Sequence, residues 1–259
     1  MAIDLDAIRN RLTTLQSTSK RADNLWKPSP GKQIIRMVPY QHDKANPFRE
    51  LYFHYDLGKK TYLSPSTFGE ADPCVEFSEK LKATGDREDW KLSRQLEPKL
   101  RTYVPVLVRG KEGEGVKFWG FGKQIYQELL SIIADPDYGD ITDLSGGRDI
   151  QVEFTAGSEG VFPKTTIRVK PAQTPATSDK GVANKILNDQ PNIDEIFSKV
   201  TYDDLKAALE VWLNPDAESS EGSPVSSNTT SNSNGSAEPA KVTAVADVDS
   251  AFDDLFGDQ

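Results

Sequence analysis

Two segments with alternating side chains, joined by a short loop that contains glycine, place the strongest constraint on the fold. The first segment reads LRTYVPVLVRG, the second reads VKFWGFG, and KEGEG lies between them. A period of two is typical of β-strands, and a short glycine-containing connection is typical of a β-hairpin. The next segment, KQIYQELLSIIAD, has apolar residues at helical spacing. The sequence therefore predicts antiparallel strands followed directly by a helix.

The same patterns predict further elements on both sides of this hairpin. The other predicted strands cover residues 33–40, 48–57, 59–64, 148–157 and 163–171. The predicted helices cover residues 3–16, 74–97 in two pieces broken near Thr84–Asp86, 178–189, and 192–212 with a break near Thr201. These elements indicate a mainly β chain with added helices (an α+β class). We expect an OB-fold-like, partly closed β-barrel core, with an OB-fold as one option among barrels and sandwiches, and a helical C-terminal part of the core.

Charge is distributed unevenly and divides the chain into parts. Residues 1–171 carry 26 Lys and Arg against 24 Asp and Glu, whereas residues 172–259 carry 5 against 16. A mildly basic body with an acidic end is typical of proteins that bind polyanions. A solvated surface with uneven charge is the alternative. The predicted parts are an N-terminal self-association element (1–25), a core (26–213), a disordered Ser/Asn-rich linker (214–246) and an acidic partner-binding tail (247–259).

The acidic tail carries apolar side chains that a purely solubilising segment does not need. Phe252, Leu255 and Phe256 are spaced for one face of a short helix, and five aspartates lie between Asp247 and Asp258 without a basic residue. This combination predicts a segment that folds on contact with partner proteins and competes for a cationic cleft. A solubilising disordered end is the alternative. The predicted partner-binding residues are Asp249, Phe252, Asp253, Asp254, Leu255 and Phe256.

Several classes of protein are excluded by what the sequence lacks. It has no apolar run long enough for a membrane span, and its acidic N-terminus does not match a signal peptide. Cys74 is the only cysteine, so an intrachain disulfide is impossible and a reducing cytoplasm is expected. No phosphate-binding glycine loop, nucleophile elbow or clustered histidine pair is present. We therefore expect a binding protein and not an enzyme.

The hairpin at residues 100–123 carries the predicted binding site. A period of two places Arg101, Tyr103 and Arg109 on one strand face, and alternation on the next strand groups four further residues: Lys117, Trp119, Phe121 and Lys123. We expect these two sets to share one face of the sheet, on which aromatic rings alternate with cations. Such alternation is typical of surfaces that stack the bases of single-stranded nucleic acid and track its phosphates. The alternative is that the rings belong to the core and the cations lie at a sheet edge. The earlier strands add Arg36, Tyr40, Arg49, Tyr55, Lys59 and Lys60.

Two other functions use the same features. A single-stranded RNA-binding module of cold-shock type would employ the same rings and cations. A protein-interaction adaptor would use the tail and bind no nucleic acid.

The order of several segments resembles a known family. The chain is similar to the single-stranded DNA-binding, helix-destabilising proteins of T-even-type tailed phages, and we expect the nearest homologues in cyanophages. The segments that carry the resemblance are, in order, GKQIIRMVPY, NPFRELYFHYDLGKKTYLSPSTFGEADPCVEF, KLRTYVPVLVRG and VKFWGFGKQIYQELLSII. The resemblance runs from about Trp26 to Leu209 and returns at the acidic terminus.

The resemblance implies an OB-fold core with a cationic, aromatic-lined cleft for single-stranded DNA, acting in the cytoplasm of the infected host cell. It also implies an N-terminal element for cooperative binding and an acidic C-terminal domain that recruits replication and recombination proteins. Tyr103 matches a tyrosine of the family's cleft, and Trp119 takes the place of another tyrosine. Phe121-Gly122-Lys123 matches the turn that follows, and Arg36 matches the arginine of an I-R-x-x-P strand.

The sequence departs from the family's zinc site. The family's archetype holds a structural zinc through three cysteines and a histidine, where this chain reads SPSTFGEADPCVEF. Cys74 matches one ligand, and a single thiol cannot complete such a site. We therefore expect no zinc and no other cofactor, with Phe68, Val75 and Phe77 packing in its place.

A second departure lies at the N-terminus. The archetype begins with a tight Lys/Arg run, whereas Asp4 and Asp6 follow Met1 here. The candidates for self-association along DNA are Arg9, Arg11, Lys20 and Arg21. An ordinary amphipathic helix with exposed arginines is the alternative.

Overall fold

The computed structural model describes residues 23–58 and 60–214. It has eight strands: β1 (Leu25–Trp26), β2 (Gly31–Met37), β3 (Arg49–Leu57), β4 (Lys60–Leu63), β5 (Lys99–Val108), β6 (Lys117–Phe121), β7 (Arg148–Thr155) and β8 (Lys164–Gln173). Within these ranges the helices are α1 (Pro73–Ala83), α2 (Arg87–Leu96), α3 (Lys123–Ala134), α4 (Lys180–Asn188), α5 (Ile193–Ile196) and α6 (Tyr202–Leu213). This order confirms the α+β class. The predicted N-terminal helix, its self-association residues, Lys59 and the tail lie outside the described residues.

The sheet is mixed and open. Its main path runs β1–β6–β5–β2–β7–β8, with β1 parallel to β6 and the other neighbours antiparallel. No pairing between β1 and β8 is found in the described part of the chain, so the barrel closure suggested by the sequence is not formed there. The described residues divide into two compact units, the first of residues 23–52 and 100–198 and the second of residues 53–58, 60–99 and 199–214.

One face of the sheet in the first unit is packed against α3. The apolar stripe predicted for this helix is confirmed, because Ile125 and Leu129 are buried against the sheet. Burying a large apolar side chain contributes about 1.5–3 kcal/mol, so this layer is a major source of stability. The buried residues of this main core are Ile35, Met37, Phe48, Val104, Val106, Trp119, Phe121, Ile125, Leu129, Ile141, Ile150 and Val152.

The opposite face of the same sheet carries a smaller apolar cluster. Leu107 of β5 and Val38, just beyond β2, pack with Val116, Ala176 and Ile186 of α4. The sheet of the first unit therefore lies between α3 on one side and α4 on the other.

The second unit is built around α1, α2 and α6. Its buried cluster contains Leu57, Cys74, Phe77, Leu81, Leu96, Leu205 and Leu209. Each helix begins at a side-chain cap, since Asp72, Asp86 and Thr201 accept backbone hydrogen bonds at the starts of α1, α2 and α6. The predicted breaks near Thr84–Asp86 and Thr201 are confirmed. None of the described helices is both long and apolar enough to cross a membrane.

The pairing of β5 with β6 corrects the predicted face of the hairpin. Val104 lies opposite Trp119, Thr102 opposite Phe121 and Tyr103 opposite Gly120. Directly paired residues share a face of the sheet, so Trp119 and Phe121 join Val104 in the main core and not Tyr103. The expectation that these three rings share one face is wrong, because the register places Tyr103 on the other side.

The ring of Tyr103 packs so closely against Gly120 that only glycine fits at this position. The phenol ring is 8% exposed and its centroid is 5.2 Å from that of Phe197. A Cβ placed on Gly120 would lie 2.5 Å from Cε1 of Tyr103, which is closer than non-bonded carbon atoms approach. The absence of a side chain at Gly120 therefore allows the Tyr103 ring to occupy its buried position.

We expect Gly120→Ala to lower the free energy of unfolding by about 1–3 kcal/mol, because the buried Tyr103 ring must move. Gly113→Ala is the matched control, since a Cβ there meets no atom within 4 Å and its φ is not positive. Chemical denaturation of both variants measures the difference. Equal stabilities would contradict the packing of Tyr103 on Gly120.

Candidate nucleic-acid interface

Two of the predicted DNA-contacting arginines form an internal ion-pair cluster with Asp149. Arg109 donates to Asp149 from Nε at 3.1 Å and from Nη2 at 2.8 Å, and Arg36 Nε lies 3.3 Å from Asp149 Oδ1. Arg109 Nη1 also donates to the Ala176 carbonyl at 2.6 Å, and Arg36 Nη2 donates to Thr174 Oγ1 at 2.8 Å. The two arginines thus tie the segment after β8 to the sheet.

Arg36 is buried completely within this cluster. Burial lowers its pKa, the nearby Arg109 acts in the same direction, and Asp149 opposes both. Its Nε and Nη1 atoms have no hydrogen-bond partner within the described structure. A guanidinium in this position stabilises the fold and does not reach a ligand in solution.

Two further predicted residues hold α5. The Tyr40 hydroxyl donates to Asn192 Oδ1 at 3.2 Å and accepts from the Ile193 amide at 3.2 Å, while Arg49 Nε donates to Asp194 Oδ1 at 2.9 Å. Burial raises the pKa of Tyr40, so this phenol stays neutral. The hydrogen bond from Arg49 to Asp194 raises the pKa of Arg49. Tyr40 and Arg49 therefore serve the packing of α5.

The hairpin residues are divided between core and surface. Trp119 and Phe121 are 1% and 3% exposed. Half-buried Arg101 donates from Nη2 to the Gly120 carbonyl at 3.0 Å, and Lys117 pairs with Glu114. Lys123, at the start of α3, is exposed.

Tyr55, on β3, is the most exposed of the predicted aromatic residues, at 38%. It borders a pocket of about 230 Å³ in the second unit. Lys99 and Trp212 also line this pocket, and the sequence analysis did not single them out. Lys60, on the neighbouring strand β4, is exposed. Among the predicted residues that the structure describes, Tyr55, Lys60 and Lys123 are thus exposed, whereas Arg36, Tyr40, Tyr103, Trp119 and Phe121 are buried.

A buried polar network occupies the region where the family's zinc was considered. His54 Nδ1 donates to the Leu96 carbonyl at 2.8 Å, and His54 Nε2 donates to Asp72 Oδ2 at 2.9 Å. Ser64 Oγ donates to the same carboxylate oxygen, while Asp72 Oδ1 accepts from the amides of Cys74 and Val75 at 3.0 and 3.2 Å. This His54–Asp72–Ser64 network connects β3, the turn before α1, the start of α1 and the end of α2.

Asp72 is the charged member of the network. Burial alone would raise the pKa of Asp72, but hydrogen bonds from His54, Ser64 and the Val75 amide outweigh it and hold the pKa below its usual range. The carboxylate is therefore ionised, and both ring nitrogens of His54 face oxygens that accept. Both nitrogens of this imidazole are therefore engaged in hydrogen bonds inside the protein.

These residues do not fit the family's zinc site. Ligand atoms of His54, Asp72 and Cys74 lie within 4.8 Å of one another, but the chain offers one thiol where three are needed. Both imidazole nitrogens and both Asp72 oxygens are already engaged. Burial, and then Asp72, raise the pKa of Cys74, which keeps the thiol protonated and unreactive.

The residues expected to replace the zinc take different positions. Phe77 is fully buried beside Cys74 in the second unit's apolar cluster. Val75 is half-buried, and Phe68 is half-buried with Lys199 Nζ 3.8 Å from its ring centroid. Sequence reasoning missed His54 and Asp72, although Asp72 before Pro73 is a recognisable helix start.

Comparison with known proteins connects this arrangement to a family. No match was found among curated proteins. A family model described as "gp32 DNA binding protein like" matches residues 29–213, which include all the described strands except β1 and all the described helices. The chain therefore belongs to the gp32-like family of DNA-binding proteins.

Proposed function

We propose that this protein binds and coats single-stranded DNA with little sequence preference. The observation that carries the proposal is membership of the gp32-like DNA-binding family over residues 29–213. Exposed Tyr55, Lys60 and Lys123 support it, because rings and cations contact bases and phosphates without reading base edges. The proposal is for a binding protein without catalytic activity.

We further propose that the protein acts in phage DNA replication, recombination and repair, in the cytoplasm of the infected cell. The acidic segment 247–259 recruits replication and recombination proteins, with Phe252 and Phe256 as apolar anchors. It also competes with DNA for the cationic surface, since it carries five aspartates and no basic residue. Residues 1–25 contribute self-association along DNA through Arg9, Arg11, Lys20 and Arg21.

We also propose that the second unit folds without a metal ion. The His54–Asp72–Ser64 network joins β3, the start of α1 and the end of α2 through the protein's own groups, and both His54 and Asp72 are 2–3% exposed. Removing one partner of a buried pair leaves an uncompensated charge, which costs about 3–5 kcal/mol. The pair therefore supports this unit only while it is intact.

The first prediction from the proposed function concerns DNA binding and its dependence on salt. We expect a fluorescein-labelled oligo(dT) to bind with an affinity that falls by about 0.7 log units per log unit of salt for each phosphate neutralised. Fluorescence anisotropy at several salt concentrations measures this slope. Preference for a matched RNA oligonucleotide would favour the RNA-binding alternative, and failure to bind either nucleic acid would favour the adaptor.

The second prediction concerns the tail. Truncation after Pro215 removes the acidic segment, so we expect tighter oligo(dT) binding at low salt and a smaller difference at high salt, where charges are screened. The matched control is the full-length chain with Phe252→Ala and Phe256→Ala, which keeps the charge and should keep the DNA affinity. Unchanged affinity after truncation would remove the competitive role of the tail.

The third prediction concerns the metal. We expect purified protein to contain no stoichiometric zinc and a chelator to leave its melting temperature unchanged. His54→Gln should lower stability by about 3–5 kcal/mol, because the buried, ionised Asp72 loses the hydrogen bond from His54 Nε2. His42→Gln is the control, since His42 is exposed. Stoichiometric zinc, or a His54 variant as stable as the control, would contradict the proposal.

A further inference from the structure

An uncovered part of the sheet lies on β2, β7 and β8. Ile34 pairs with Gln151, which pairs with Arg168, and Glu153 pairs with Thr166 in the neighbouring row. Paired residues share a face, so these side chains lie side by side across three strands. Arg168 and Thr166 are exposed, and Ile34 is 39% exposed. This part of the sheet is therefore open to solvent.

The exposed side of β8 is cationic. Alternate residues of the strand point to this side, namely Lys164, Thr166, Arg168 and Lys170. The Cα atoms of Arg168 and Lys170 are therefore about 6.7 Å apart. In the described part of the chain the side chains of Lys164 and Arg168 make no ion pair or hydrogen bond, and Lys170 Nζ donates to Gln151 Oε1 at 3.0 Å. Glu153 contributes a negative charge here, and its Oε2 lies 4.0 Å from Lys32 Nζ. Positive charge thus predominates along the strand.

The hairpin that joins β7 to β8 presents an aromatic ring at its tip. Phe162 is 92% exposed and Val161 is 61% exposed. The turn is closed by backbone hydrogen bonds between Ser158 and Val161 at 3.1 and 2.8 Å, with Gly160 at φ 76°. Because the turn is closed by its own backbone, the ring is held in solvent next to the first cation of β8.

We propose that Phe162, Lys164, Thr166, Arg168 and Lys170, which we call the β8 surface, form a contact site for single-stranded DNA. The cations bind successive phosphates, and Phe162 stacks on a base. The inference rests on the proposed function and adds residues that the sequence analysis did not assign to the site. Charge complementarity favours a polyanion as the ligand. An exposed ring beside unpaired cations favours a nucleic acid, whose bases can stack on the ring, over an acidic peptide.

Loss of charge tests the phosphate contacts. In the full-length protein, Lys164→Gln with Arg168→Gln should weaken oligo(dT) binding and lower the salt slope by about 1.4, since each lost phosphate contact removes about 0.7. The matched control, Lys44→Gln with Lys180→Gln, removes two exposed cations elsewhere and should change the slope by less than about 0.5. Thr166→Lys adds a cation on the same face and should steepen the slope by about 0.7.

Loss of the ring tests stacking. Phe162→Ala should weaken binding roughly 5- to 150-fold without changing the salt slope. Leu187→Ala, at a residue 47% exposed on α4, is the control and should change affinity less than twofold. Melting temperatures confirm that the variants are folded, and Thr166→Lys gives a readout that loss of folding cannot imitate.

The outcomes separate the inference from the proposed function. Binding by the natural chain with unchanged slopes in the β8 variants would overturn the β8 surface and leave the proposed function intact. Failure of the natural chain to bind single-stranded DNA would overturn the proposed function itself. If the β8 variants lose only binding of an acidic peptide such as residues 247–259, that peptide and not DNA is the occupant.

Discussion

The register in which β5 pairs with β6 determines what each face of the sheet can do. With Val104 opposite Trp119, the rings of Trp119 and Phe121 enter the core beneath α3. A slip of one residue would reverse every side chain of the strand, so a single pairing decides between core and surface. Tyr103 is then placed on the opposite face, where Gly120 leaves room for its ring. The aromatic residues of this hairpin therefore stabilise the sheet.

Within the same sheet, two arginines that the sequence suggests as ligand contacts are instead paired with an aspartate of the protein. Asp149 lies opposite Arg36 in the pairing of β2 with β7, and Arg109 reaches it from β5. Asp149 offsets part of this positive charge, and the two arginines fix the segment after β8 by hydrogen bonds to its carbonyls. Positive charge available to a polyanion consequently lies elsewhere, on exposed side chains such as Lys123 and Arg168. A net count of basic residues thus overstates the cationic surface.

Features set by neighbouring residues could be predicted from the sequence, whereas features set by distant residues could not. The break before α2 was predictable because Asp86 caps the helix that it precedes. The face of Trp119 depends on which residue of β5 lies opposite, and alternation within each strand does not fix that register. His54 and Asp72 are separated by 18 positions, and Leu96 by 42 from His54, so their contact depends on tertiary structure. The short β1 strand likewise exists only through its pairing with β6.

The buried His54–Asp72 pair has consequences that a thiolate-held metal would not have. Taking the Asp72 charge out of water is costly, and the cost is offset only when the surrounding donors and acceptors are also satisfied. Leu96, Ser64 and two amides at the start of α1 meet that condition, which makes the geometry of the surrounding segments specific. Because the network joins β3 to both α1 and α2, its loss would loosen the elements beside Tyr55 and Lys99. Under the proposed function, the precision of this part of the interface thus depends on hydrogen bonding within the protein.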